Sequence, residues 1–221
     1  MIRRRSIERA LLAALLAGAA AAHAATGLSE PAQQLLQWIE RESDNQNRPF
    51  VLIDKPQARL WVFDGQRRAL ADAPVLLGSA LGDTSAPDIG TRPLSRIAPH
   101  ERTTPAGRFV LEPGENHKGE DIFWIDYEAA VSLHRVRSAH AGERRLERLA
   151  TPTVADNRIS YGCVNVPTAF YDRELHPRFS RAPGLVYVRP DQQALHEAFP
   201  RFKSATPGTP AKGAASPPPP R

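Results

Sequence analysis

The sequence predicts a β-rich domain with a few peripheral helices over roughly residues 28–202. Two observations lead there. From Phe50 onward, short runs of β-branched, aromatic and aliphatic residues recur, separated by Gly-, Pro- and Asp-containing breaks. A helical period is plain only in residues 28–43, ahead of the first of those runs. The full length of 221 residues suits one domain with a real core plus appendages.

Taken in order, residues 1–24 are expected to be a secretory signal. Arg3, Arg4, Arg5 and Arg9 form a basic start, an apolar run spans 10–22, and Ala22-His23-Ala24 is a small-x-small cleavage pattern. The apolar run is too short to remain as a membrane span after cleavage. An exported protein follows, with the periplasm as the expected compartment. Four arginines against Glu8 place +3 of the chain's +5 in this segment, leaving +2, so the charge implies no nucleic-acid partner.

Residues 25–49 are expected to hold an N-terminal helix. Ala32, Leu35, Leu36 and Ile39 share a face, Ser29 can cap it, and Pro31 sits in the first turn. The period then changes to two. Val51-Leu52-Ile53 and Leu60-Trp61-Val62-Phe63 predict strands around the turn dipeptide Asp64-Gly65, and residues 75–77 a further strand. The stretch 78–107 is too irregular for regular structure and too long for an idle connection, so it is expected to wall a binding site. Strands are predicted at 108–111 and 122–127, and Val131-Ser132-Leu133 leads into His134.

Residues 135–149 predict a surface helix or loop, with Arg144, Arg145, Glu147 and Arg148 on a solvated face. Strands at 164–166 and 185–188, a short helix at 170–175 and a closing helix within 191–203 complete the domain. The Pro-, Ala- and Gly-rich residues 204–221 cannot bury a core and predict a disordered tail. Trp38, Trp61 and Trp124 are assigned to core packing. His100, Glu101, Glu115 and His117 lack ligand spacing, so no metal site is expected.

The chain has a single cysteine, Cys163. It can close no internal disulfide, which leaves an inert buried thiol, an intermolecular bridge or a nucleophile. Its setting, Arg158-Ile159-Ser160-Tyr161-Gly162-Cys163-Val164-Asn165-Val166, favours the nucleophile. A thiolate needs a base and backbone donors for the oxyanion that develops on attack. Gly162 lets the backbone approach a carbonyl closely, and the N–H groups of Gly162 and Cys163 are candidate donors. The candidate base is His134, at the end of a predicted strand.

At this point the sequence resembles the L,D-transpeptidase catalytic domains, whose signature is Ser/Thr-His-Gly-Cys-x-Asn/Arg with an upstream histidine at a strand end. Ser160-Tyr161-Gly162-Cys163-Val164-Asn165 and Ser132-Leu133-His134 carry that likeness, supported by Asp54-Lys55-Pro56-Gln57-Ala58-Arg59-Leu60-Trp61-Val62 and Thr104-Pro105-Ala106-Gly107-Arg108-Phe109. The resemblance covers about residues 50–190 and implies a mixed β-sandwich or barrel-like catalytic domain there. It also implies acyl transfer. Cys163 would cleave the bond between the third residue of a peptidoglycan stem tetrapeptide and its terminal D-alanine, forming a thioester with no cofactor. A second stem peptide or an envelope protein would be the acceptor. Ser160 would orient His134, and Arg158 and Asn165 would hold a substrate carboxylate or the local turn.

Two departures stand out. Tyr161 replaces the usual histidine, and 25 residues separate His134 from Ser160, more than is usual in the family. His140 is nearer the usual spacing, but Ala139 and Ala141 around it do not look like a strand end, so His134 is preferred. The alternatives are hydrolysis at the same site, as an L,D-carboxypeptidase, and a catalytically degenerate wall-binding protein.

Overall fold

The computed structural model describes residues 27–137 and 141–202. The expected signal at 1–24, His140 and the tail at 204–221 lie outside the described residues. Helix α1 (Glu30–Glu42) comes first. Ser29 caps it by accepting the Ala32 N–H at 3.3 Å, and Ser43 ends it in the left-handed conformation. The strands that follow are β1 (Phe50–Asp54), β2 (Arg59–Phe63), β3 (Ala69–Pro74), β4 (Leu77–Gly78), β5 (Gly107–Glu115), β6 (Asp121–Asp126), β7 (Val131–Arg135), β8 (Arg158–Ser160), β9 (Val164–Val166) and β10 (Gly184–Arg189).

Eight of these strands form one sheet in the order β3-β2-β1-β10-β5-β6-β7-β9, while β4 and β8 pair with each other. The two edges of the large sheet meet. Leu76, two residues past β3, exchanges both backbone hydrogen bonds with Asn165 of β9, at 2.8 and 2.9 Å. The fold is therefore mainly β, with a sheet curled almost closed and a few helices outside it. Among the described residues no helix is long and apolar enough to cross a membrane.

The period-two expectation for β1 and β2 needs correction, because burial there is continuous. Side chains do alternate in direction, but both faces are covered. Val51, Ile53, Leu60, Val62, Val186 and Val188 point into the curled sheet. Phe50, Leu52, Trp61, Phe63, Leu185 and Tyr187 point outward, beneath Leu35, Leu36, Trp38 and Ile39 of α1. Strand β3 escaped prediction because Ala69-Leu70-Ala71-Asp72-Ala73-Pro74 has no β-branched or aromatic residue. Its partner β2 supplies the backbone pairing that its own sequence does not announce.

Short helices α2 (Arg145–Ala150), α3 (Thr168–Phe170), α4 (His176–Phe179) and α5 (Leu195–Ala198) lie outside the sheet. A π-helical stretch, Tyr171–Leu175, joins α3 to α4, so the short helix expected at 170–175 extends at both ends. The closing helix expected within 191–203 shrinks to α5. Asp191, Gln192 and Gln193 instead donate their N–H groups to the Asp83 carboxylate at 2.6, 2.8 and 2.8 Å, and Ala194 is extended.

That carboxylate belongs to a buried ionic centre. The Lys55 ammonium follows β1 and gives its three donors to Gly82 O, Asp83 Oδ1 and Thr104 O, each at 2.7 Å. Asp191 Oδ2 lies 3.4 Å away and also pairs with Arg158. Burial opposes ionisation of Asp83, yet Lys55 and the three N–H groups hold its carboxyl below the usual range. Two cations face two anions, so no net charge is buried. Lys55→Met removes the ammonium and strands Asp83, and it is expected to destabilise the fold by about 3–5 kcal/mol. Urea unfolding midpoints of the two proteins measure this; an unchanged midpoint would contradict the role assigned to Lys55.

Candidate active site

Strands β7 and β9 are parallel neighbours in the register Leu133↔Val164 and His134↔Asn165. Leu133 and Val164 point into the core, so Ser132, His134, Cys163 and Asn165 share the outer face. Cys163 is half-buried, and its Sγ lies 3.6 Å from Ser132 Oγ and 3.7 Å from the Ala130 carbonyl oxygen.

The turn carrying Cys163 is tightly wired. Gly162 has φ +137°, and a Cβ there would sit 2.7 Å from Thr103 O. Ser160 Oγ donates to Cys163 O at 2.7 Å and accepts the Gly162 N–H at 3.0 Å. Thr104 Oγ1 donates to Gly162 O at 2.8 Å. The Gly162 N–H, one of the two candidate oxyanion donors, is thus already taken. The Cys163 N–H takes part in none of the described hydrogen bonds. The Tyr161 ring carries the Arg102 guanidinium on its face, 4.2 Å from the ring centre.

His134 Nδ1 is 2.7 Å from Arg135 O, and Nε2 is 3.4 Å from Asn165 Nδ2. No hydrogen bond joins His134 to Cys163 in this arrangement. Burial pulls the imidazole pKa down to about 4; Arg137 and Arg145 add to this, while the Arg135 carbonyl and Glu120 oppose it. The ring is therefore neutral at neutral pH and keeps a lone pair to accept a proton.

The structure thus gathers Cys163, Gly162, Tyr161 and Ser160 into one turn and sets His134 and Asn165 beside it. Ser160 holds the turn and makes no bond to His134. Asn165 does contact His134, and its Oδ1 accepts from Arg145 at 2.6 Å. Arg158 points elsewhere, into the ionic centre, where it bonds Asp191 and Lys55 O. Sequence reasoning missed Ser132 and Arg145. Ser132 was recoverable, since two residues before His134 on a strand means the same face. Arg145 carried no local signal. It lies in a segment taken as solvated, yet its side chain is only 11 % exposed.

Trp124, assigned to the core, instead lies on the outer face. The registers Glu112↔Trp124 and Trp124↔Ser132 continue the line of side chains away from Cys163 across three further strands. Trp124 meets Tyr127 edge-on at 5.0 Å, and with Phe109, Glu112, Asp126 and Glu128 they line a cleft of about 320 Å³.

Two outcomes follow from this geometry. With its folded pKa below the ordinary value, His134 takes a proton in the unfolded chain before the folded one, so its contribution is complete above pH 6.5. Stability is expected to fall as pH drops from 6.5 towards 4. Denaturation midpoints across that range, for wild type and His134→Gln, should show the steeper loss in wild type. Gly162→Ala forces a side chain into a left-handed backbone against Thr103 O and should cost about 1–3 kcal/mol. The same variant should slow the reaction of Cys163 with a thiol probe, and an unchanged midpoint and rate would contradict the tight turn.

No family model and no curated protein matches the chain. Several solved structures are similar to it. The NMR structure of the catalytic domain of the E. faecium L,D-transpeptidase has 15 % identity and a TM-score of 0.40, covering 65 % of this chain and 98 % of that one. The L,D-transpeptidase of Stackebrandtia nassauensis has 16 % identity and a TM-score of 0.38, covering 64 % of this chain and 55 % of that one. The helical cell shape determining protein Pgp2 of Campylobacter jejuni has 12 % identity and a TM-score of 0.43, covering 75 % of this chain and 58 % of that one. The chain thus spans just over half the length of the last two. At these identities and scores a shared chemistry does not follow from the likeness, and it is argued from the residues.

Proposed function

We propose that this protein is an exported cysteine acyltransferase of the L,D-transpeptidase type, acting on peptidoglycan stem tetrapeptides in the periplasm. The observation that carries the reading is the Cys163 turn. Ser160 Oγ takes the Gly162 N–H and the Cys163 carbonyl, and Thr104 takes the Gly162 carbonyl. The Cys163 N–H is unused among the described hydrogen bonds, and the thiol makes only long contacts beside a neutral imidazole. Export rests on the pattern of residues 1–24.

In this reading Cys163 Sγ attacks the carbonyl that joins the third stem residue to D-alanine, and its proton passes to His134 Nε2. Sγ must first leave Ser132 and Ala130 O, a movement consistent with catalytic hydrogen bonds that tighten only around substrate. The Cys163 N–H meets the oxyanion as it forms. Collapse of the tetrahedral adduct expels D-alanine, whose amine takes the proton back from His134, and leaves a thioester. An amine of a second stem or of an envelope protein then attacks the thioester and gives its proton to His134. The C–S bond breaks as the new amide forms, and Cys163 Sγ takes that proton back. Water in place of the amine gives the shorter stem, which is the carboxypeptidase reaction.

Mass spectrometry of the purified protein with tetrapeptide-bearing fragments and a carbapenem tests the reading. Wild type should gain a covalent adduct and release D-alanine, and Cys163→Ala should do neither. Cross-linked dimers identify the transpeptidase, and shortened monomers alone identify the hydrolase. A folded wild type that forms no adduct and releases no D-alanine sinks both and leaves a wall-binding protein.

A further inference from the structure

Arg145 opens α2, within the stretch that lengthens the interval between His134 and Ser160, and its side chain turns inward. Its Nε lies 2.7 Å from Glu143 Oε2, and its Nη1 lies 2.6 Å from the Asn165 side chain, which is fully buried. A guanidinium only donates, so the Asn165 atom facing it must be the amide oxygen. That choice turns Nδ2 the other way, to 3.4 Å from both Cys163 O and His134 Nε2. An amide nitrogen also only donates, so the ring nitrogen it faces must be the one without a proton. The imidazole proton then sits on Nδ1, where it meets Arg135 O at 2.7 Å.

We infer that Arg145 is a positioning residue: by fixing the Asn165 amide it selects the tautomer of His134 whose Nε2 is free to take a proton. The inference rests on the reading of His134 and Cys163 as the reacting pair. Without Arg145 only the long 3.4 Å contacts of Nδ2 with Cys163 O and His134 Nε2 hold Oδ1 on its present side. A flipped amide would offer oxygen to Nε2 in competition with Arg135 O at Nδ1, so part of the population would carry the proton on Nε2 and lose the lone pair the reaction uses. The other charged groups acting on the ring are Arg137, just past β7, and Glu120, just before β6; neither contacts the Asn165 amide.

Nitrogen-15 NMR of the His134 ring in the full-length protein reports the tautomer directly, with the signal assigned by its loss in His134→Gln. Wild type should show a single Nδ1–H form at neutral pH. Arg145→Ala should show a mixture, with acylation of Cys163 by a carbapenem slowed about tenfold to a hundredfold, the range for losing an outer partner of a reacting group. Arg145→Lys, which still donates, should restore most of both readouts. Asn165→Asp leaves α2 intact and presents only oxygen to Nε2, so it should move the proton there even if Arg145→Ala disturbs the helix. A folded Arg145→Ala with the wild-type tautomer and rate, or an Asn165→Asp ring still protonated on Nδ1 alone, overturns the inference. If wild type accepts no acyl donor while the tautomer responds as described, the functional reading falls and the positioning stands.

Discussion

The Lys55 ammonium is fully buried, and three stretches of chain that are distant in sequence converge on it: the end of β1, the long irregular segment before β5, and the turn after β10. Such a charge is tolerable only when every donor is satisfied and the counter-charge is adjacent. Gly82 O, Asp83 and Thr104 O use its three donors, and Asp191 is shared with Arg158. The irregular segment consequently has one way to lie, although it contains no strand and only single helical turns.

From this centre two short routes reach the Cys163 turn. Thr104 gives its carbonyl to Lys55 and its hydroxyl to Gly162 O, so the floor under Gly162 is tied directly to the buried charge. Arg158, bonded to Asp191 and Lys55 O, opens β8, which ends at Ser160. The turn is therefore clamped on both sides before its own internal bonds are counted. That matters for the proposed attack by Cys163, because Gly162 contributes no stiffness of its own. Its unusual φ is held by Thr103 and Thr104 beneath it.

The imidazole is governed by different physics. His134 is kept neutral chiefly by removal from water, and its ring is held between Arg135 O at Nδ1 and Asn165, itself bonded to Arg145, at Nε2. Position and protonation are thus controlled from opposite sides of the site. The ionic centre holds the Cys163 turn, and α2 with β9 flanks the imidazole. Both converge on the outer face where β7 and β9 run parallel, while the other edge of β9 is bridged to Leu76 through Asn165.

Much of this was legible in the chain alone. Short-range chemistry was sufficient for α1 with its Ser29 cap and for the apolar runs of β1, β2 and β10. In each case the deciding forces act within a few residues. Strand β3 was illegible because its identity comes from pairing with β2, and the closing helix was misjudged because Asp83, far away in sequence, claims the N–H groups of residues 191–193. The roles of Arg158, Asn165 and Arg145 depended on who stood opposite them. A guanidinium or an amide has the same local appearance whether it faces water, substrate or a buried partner. Residue type determined which groups could react; only the tertiary structure decided what each one faces, because the partners of a buried polar group are chosen by the closure of the fold and not by its neighbours in sequence.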